Sequence, residues 1–321
     1  MNIKQNKQIL KEIIEHDAII IHRHKSPDGD AIGSQYGLYL TLRHNYPNKE
    51  ICVVGDVNNR CFGATMDEIT DDKYDGALVF VLDTAVTQLI SDDRYTKGDK
   101  LIIIDHHTND TNVDKVDIYY KNPDYSSASG MVTDLIKSWK LDVPKEAATF
   151  LFLGIVTDTG RFMHLKEGNA ESTFNSAAFL SKFNPDVQNI YNYLYVETLE
   201  SKRTREMFAQ FEVTPNFVAY RKNTREVIEK SGLDFFSVSR GMVNQMAGIE
   251  EIKIWVSFSE NEEGKIIVEI RSRGILVVDI AREFGGGGHN EACGATLNSF
   301  EEADLMLKRL DERAKENEHD K

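Results

Sequence analysis

No apolar run in this chain approaches the roughly 20 residues that a membrane-spanning helix needs, which excludes a helical membrane protein. The first residues, Met-Asn-Ile-Lys-Gln-Asn-Lys, lack the apolar centre of a secretory signal. Cysteine is scarce. Cys52, Cys61 and Cys293 form no Cys-x-x-Cys pair and leave one thiol without a mate, so reduced thiols in a cytoplasm are expected. Basic charge is also short, with 38 Lys and Arg against 52 Asp and Glu and a net charge of −14. Proteins that coat long nucleic acid do so through a broad basic surface, so long-duplex binding is not expected. A small, locally basic pocket is still compatible with the balance. The excess acid, as at residues 260–263 and after residue 301, serves solubility and would be partly neutralised by divalent cations on aspartates. There is no internal repeat and no low-complexity tract.

What is present is an unusual placement of histidine and aspartate. Five of the nine histidines fall in three short motifs. These are His22-Arg23-His24-Lys25-Ser26-Pro27-Asp28-Gly29-Asp30, Asp105-His106-His107, and Gly285-Gly286-Gly287-Gly288-His289. Asp83 and Asp158 repeat the theme, each at the end of an apolar stretch. The recurrence points to a metal-dependent hydrolase.

With 321 residues the chain is long for one core and comfortable for two domains. Apolar strands are expected at 18–21, 51–54, 77–82 and 101–104, with helical spacing at 30–44, 129–139, 145–157 and 169–182. Continuous apolar strands separated by helices predict a parallel sheet covered on both faces. In such sheets ligands gather beyond the carboxyl ends of the strands, which is where these motifs fall. A connecting helix is expected over 190–211. A second domain would then carry strands at 216–221, 252–258 and 266–271, the Gly-rich loop, and a charged amphipathic helix at 300–316. The expected fold class is α/β, an N-terminal parallel-sheet domain with helices on both faces plus a smaller C-terminal α/β domain. The expected division is 1–188, a linker helix at 189–213, and 214–321.

His24, Asp28 and Asp30 follow His-x-x-x-Asp-x-Asp spacing on a loop that Pro27 and Gly29 turn. Imidazole with carboxylate donors suits Mn²⁺, Zn²⁺, Fe²⁺ or Co²⁺. Asp83 is the candidate bridge between two ions, with His106 and Asp158 completing the shells. Two ions about 3.5–4 Å apart activate a shared water and stabilise charge on a phosphoryl group. Four ligand aspartates and two divalent ions balance, whereas without metal the carboxylates would repel one another and raise their own pKa values. Taken singly, each residue has a plainer reading: Asp30 alone is an N-cap, and a lone histidine a satisfied core residue. All six together are not so explained. Asp105 is read as the partner that fixes an imidazole tautomer, and His107 as a phosphate contact or general acid.

In the second half, four glycines let a ligand approach the backbone, and their amides can line an anion nest. The segment does not have Gly-x-Gly-x-x-Gly spacing. His289 and Arg271-Ser272-Arg273 add donors for phosphate. The plainer reading is a helix-capping turn beside surface arginines. The roles of Ser126, Ser127 and Ser129 stay open between capping the helix that starts near residue 130, the favoured reading, and substrate contact.

These motifs, with Asp83-Thr84 and Gly154-Ile-Val-Thr-Asp158-Thr-Gly160, resemble the DHH phosphoesterase superfamily, which includes RecJ-like nucleases and manganese-dependent family II pyrophosphatases. Arg271-Ser272 and Phe284-Gly-Gly-Gly-Gly-His289 resemble its DHH-associated C-terminal domain. The match spans nearly the whole chain and is most like the bacterial nanoRNase and pAp-phosphatase branch, with its pApA phosphodiesterase cousins. The resemblance implies two bound ions, with Mn²⁺ as the expected metal, on His24, Asp28, Asp30, Asp83, His106 and Asp158. It implies His107 at the scissile phosphate beside Asp105. It implies Arg271, Ser272, Gly286, Gly287, Gly288 and His289 gripping the nucleotide end, and an active site in a cleft between domains. The implied activity is hydrolysis of short oligoribonucleotides, dinucleotides such as pApA, and pAp by a metal-activated water. The segment 83–89 lacks the Asn and Arg found in many members near 86 and 89, and Cys293 stands where Ala is common. A manganese-dependent pyrophosphatase and a non-catalytic nucleotide sensor stay open as alternatives, as do monomer and homodimer.

Overall fold

The computed structural model describes residues 3–58, 61–165 and 168–317. Residues 1–2 of the N-terminal stretch and 318–321 of the acidic tail lie outside them. The chain divides into two compact units, Met1–Val196 and Glu197–Lys321. Among the described residues no helix is long and apolar enough to cross a membrane.

Unit 1 runs α1 (Ile3–Glu15), β1 (Ala18–His22), α2 (Gly29–Asn45), β2 (Glu50–Val53), β3 (Leu78–Leu82), β4 (Lys100–Asp105), β5 (Ile118–Lys121), α3 (Ala128–Trp139), α4 (Lys145–Asp158), α5 (Ala170–Ser181) and α6 (Val187–Tyr195). Its five strands are all parallel in the order β2-β1-β3-β4-β5. Every residue of β3, Leu-Val-Phe-Val-Leu, is buried, which is why the strands read as continuous apolar runs rather than alternating ones. The two faces are covered differently. Ile21, Phe80 and Ile102 face the α-helices through Leu38, Met131 and Leu151. Ile20, Val79 and Leu101 face Tyr74, Ile90 and Tyr95, carried on or beside short 3₁₀ turns at Asp71–Tyr74, Thr87–Leu89 and Asp93–Thr96.

Strand order reverses between β1 and β3, and ligands bind beyond the strand ends at such a switch point. Helices α2 and α4 pack unusually closely there. A Cβ on Gly33 would lie 2.5 Å from the Phe150 carbonyl oxygen and 2.9 Å from the Gly154 Cα, and one on Gly154 would lie 2.8 Å from Asp30 Oδ1. The missing side chains bring the start of α2 and the end of α4 to one place.

Unit 2 runs α7 (Leu199–Phe208), β6 (Glu212–Val213), β7 (Val218–Asn223), α8 (Arg225–Ser231), β8 (Ile254–Glu260), β9 (Ile266–Ser272), α9 (Val278–Glu283), β10 (Gly287–Gly288), β11 (Ala292–Leu297) and α10 (Phe300–Glu316). The helical pattern expected over 190–211 is two helices, α6 and α7, broken at 196–198. The sheet order is β10-β11-β9-β8-β7-β6, antiparallel except for the β7–β8 pair. Val256, Phe258, Val268, Ile270, Cys293 and Leu297 form one core with Met306 and Leu310 of α10. The sequence reading did not resolve β5, β6, β11 or α8, each short or weakly apolar.

Candidate active site

Each strand of unit 1 that carries a motif delivers it at its carboxyl end. After β1 the chain turns so that His24 bridges to Ile90. Asp28, not Asp30, is the N-cap of α2, with Oδ1 accepting from the amides of Asp30 and Ala31, both at 3.0 Å. Asp30 follows two residues on, in the first turn of α2, and is 1% exposed. Its carboxylate accepts from the Ala128 amide at 2.6 Å and the Ser129 amide at 2.9 Å, so the N-terminus of α3 fixes it. The serines are thereby placed. Ser127 caps α3 by accepting from the Gly130 amide, Ser129 gives its amide to Asp30, and Ser126 pairs with Thr173. Asp83 ends β3 with φ of +61°, a left-handed conformation unfavourable for a side-chain residue. Asp158 is the last residue of α4.

All six candidate ligands come together. His24 Nε2 lies 3.5 Å from Asp83 Oδ2 and 3.7 Å from Asp28 Oδ1. His106 Nε2 lies 3.3 Å from Asp83 Oδ1, 3.5 Å from Asp158 Oδ2 and 3.9 Å from Asp30 Oδ2. Three overlapping donor groups follow, His24-Asp28-Asp83, Asp30-His106-Asp158 and Asp83-His106-His107, with Asp83 common to the first and third. The separations matter. Charge-assisted hydrogen bonds close to about 2.7–2.9 Å, whereas donors around a shared ion at about 2.0–2.2 Å each stand farther apart. Asp83 Oδ1 is also buried without a hydrogen-bond partner. The donor set therefore fits divalent cations. His107 behaves differently: its Nδ1 is 2.7 Å from Asp105 Oδ1, an ordinary strong hydrogen bond, and Asp105 is wholly buried. His22 takes no part. It packs under the sheet with Nε2 3.1 Å from the Tyr74 hydroxyl, and burial pushes its pKa down to about 4.

Without cations the cluster holds protons. Burial disfavours charge on His24, but Asp28 and Asp83 outweigh it and hold its pKa up to about 10. His106 follows the same balance, burial against Asp83, Asp30 and Asp158, and is also raised to about 10. Burial, with Asp83 and Asp158 nearby, pushes Asp30 well above the usual carboxylate range. Burial, eased by His106 but reinforced by Asp83 and Asp28, lifts Asp158 to about 6. Against the pull of burial, His24 and the α2 amides hold Asp28 down to about 2. His107 is raised chiefly by its bond to Asp105. His24, Asp28, Asp83, His107 and Asp158 line a cavity of about 510 Å³ whose further wall is Val86, Leu89, Asn109 and Asn112.

In unit 2 the glycines split their work. Gly285, with φ of +74°, and Gly286 close the end of α9, their amides donating to Arg282 and Ala281 carbonyls. Gly287 and Gly288 are β10, paired on β11, and His289 starts the turn between them. The sequence thus held half of each reading: a helix-capping turn and a bare backbone. Arg271 points away from the apolar core and lies 3.0 Å from Glu269 Oε2. Ser272 is not brought beside it. As the next residue on β9 it faces the core side, where its hydroxyl donates to the Ile275 carbonyl at 2.5 Å. Arg273 turns Nη2 to the carbonyls of Ile249, Glu250 and Ile252 and so braces a loop.

Comparison with known proteins agrees with this division. The model of the DHH family, N-terminal domain, matches residues 18–155, and that of the DHHA1 domain matches residues 236–316. The bifunctional oligoribonuclease and PAP phosphatase NrnA of Bacillus subtilis is 36% identical over 97% of this chain and 99% of its own length. The probable bifunctional oligoribonuclease and PAP phosphatase NrnA of Streptococcus mutans is 33% identical over 95% of this chain and 97% of its own. Among solved structures, an exopolyphosphatase-related protein from Bacteroides fragilis superposes with a TM-score of 0.78 at 25% identity, covering 98% of each chain.

Proposed function

The chain belongs to the DHH family and carries a DHHA1 domain, and from that premise we propose that it is a metal-dependent phosphoesterase that hydrolyses short oligoribonucleotides, dinucleotides such as pApA, and 3′-phosphoadenosine 5′-phosphate (pAp). The observation that carries the reading is the convergence of three imidazoles and five carboxylates at the ends of three parallel strands and two helices. The substrate class is supported by the function that the near-full-length relatives are named for. The same reading assigns catalysis to residues 1–188 and substrate holding to 214–321, and takes the enzyme as cytoplasmic.

His24, Asp28 and Asp83 would hold one ion and Asp30, His106 and Asp158 a second, with Asp83 shared; Mn²⁺ is the metal this reading assigns. What the cations supply when bound is Lewis-acid activation of water and screening of charge on the phosphoryl oxygens. The chain's own residues position and protonate. Asp105 accepts the Nδ1 proton of His107 and sets its tautomer, which leaves Nε2 for the substrate. The bond to Asp105 favours the protonated ring, and a proton on Nε2 would be available to the leaving oxygen. Arg271, the backbone of Gly287 and Gly288, and His289 hold phosphate on the nucleotide end, whereas the Gly286 amide is taken by the Ala281 carbonyl. A holding face this small, on a chain of net charge −14, suits a few nucleotides rather than a long strand.

A turnover panel tests the reading. With Mn²⁺, pApA, pAp and short RNA should be hydrolysed faster than inorganic pyrophosphate, and a chelator should stop all of it. Preference for pyrophosphate, or turnover that survives the chelator, overturns it.

A further inference from the structure

The face of the second sheet that turns away from its apolar core has an unusual surface. The in-register residues Gly287, Gly294 and Glu269 stand side by side across β10, β11 and β9, with Ala292 and Arg271 one step along. A Cβ on Gly287 would meet nothing within 4 Å, so the strand there is open above its backbone. The face lines a cavity of about 770 Å³. At its edge Glu269, only 8% exposed, is claimed by two guanidinium groups. Oε2 pairs with Arg271 at 3.0 Å, and Oε1 pairs with Arg240 Nε at 2.9 Å. Arg240 comes from a separate element, the π-helical turn Ser237–Gly241, and its guanidinium carbon lies 5.2 Å from the Phe236 ring centre.

A nearly buried carboxylate shared by two arginines orients both. Held through Nε, the Arg240 fork presents its NH1–NH2 edge, the edge that grips phosphate oxygens in two parallel bonds. Phe236 fixes the plane of the fork. The trio carries one net positive charge, which an anion balances and a neutral base does not. We propose that Arg240 is a second arginine of the nucleotide-holding face, that it contacts a phosphate outside the scissile bond, the terminal phosphate of pApA or pAp, and that Glu269 is the positioning residue for both arginines. The inference rests on the reading of this unit as the substrate holder.

The test compares pApA with ApA, which lacks the terminal phosphate, and adds pAp binding to the metal-loaded protein by calorimetry. Arg240→Ala should raise KM for pApA roughly tenfold or more while kcat stays within about twofold. It should weaken pAp binding in parallel and leave ApA unchanged. Arg240→Lys should recover part of the loss, and Glu269→Gln should raise KM for pApA in the same selective way. An unchanged KM for pApA, or equal losses on ApA and pApA, overturns the proposal. Arg271→Ala separates the two levels of failure. If it weakens pAp binding while Arg240→Ala does not, only this inference falls; if neither weakens it, the substrate-holding reading of the unit falls too.

Discussion

The two units treat charge in opposite ways. Unit 1 crowds titratable side chains into a buried corner, against electrostatics and, at Asp83, against backbone preference. Unit 2 clears side chains away, leaving a floor of glycine with a few cations at its rim. One site is built from what its residues carry, the other from what they lack. The first kind needs scarce residue types at fixed places. The second needs an open backbone, which strand register creates and a residue list does not show.

Asp83→Asn tests the unit 1 half of that contrast and should have the largest effect. Asn tolerates a φ of +61° better than most residues, so the fold should persist. Activity should fall by more than the roughly 10–100-fold that loss of an outer partner of a ligand costs. In a chelator the variant should unfold at a lower temperature than the parent, because Asp83 is a carboxylate that holds the His24 and His106 protons in the cation-free fold. Activity within a few-fold of the parent breaks the contrast. Arg271→Ala comes next and acts on unit 2. KM for pApA should rise roughly tenfold with little change in kcat, and a generic small phosphodiester should be hardly affected. Equal loss on both would mean that Arg271 serves the chemistry rather than the nucleotide.

The same contrast explains what could be read without coordinates. The apolar strands and their terminal His and Asp residues were legible because a parallel sheet buries its strands on both sides and a metal site restricts its donors. The role of Asp28 as cap, with Asp30 held by the α3 amides, was not legible, because it depends on where α3 begins relative to α2. Arg271 and Ser272 are adjacent in sequence, which suggests one clamp, yet period-two alternation sends them to opposite faces. Glu269 and Arg240 lie 29 positions apart and form no motif. Gly29, Gly33 and Gly37 did carry a signal, a four-residue spacing along α2, and the structure shows its use. Gly33→Ala should force α2 and α4 apart and cost about 1–3 kcal/mol, read as a lower denaturant midpoint for unit 1. The cation affinity should fall with it, since Asp30 and Asp158 ride on those helices. Normal stability with unchanged affinity would mean that the close packing does not position the ligands.

The smallest expected effect sharpens the comparison through pH. In the cation-free protein His24 and His106 have pKa values raised to about 10. In the unfolded chain they return to about 6.5. The folded state therefore binds more protons between these values, and the stability they contribute, full below about 6.5, is lost as pH rises through about 10. Cations need the neutral imidazoles and replace those protons. In a chelator, the unfolding temperature of unit 1 should drop by a few degrees between about pH 7 and about pH 9. Added Mn²⁺ should raise it more at the higher pH. Among the described residues of unit 2 no such pair stands on the holding face, so its own transition should move little over the same interval. A flat transition for unit 1 in the chelator would show that its imidazoles are not held protonated by the aspartates. The supposed opposition between a charge-crowded corner and an open floor would then reduce to a difference in shape alone.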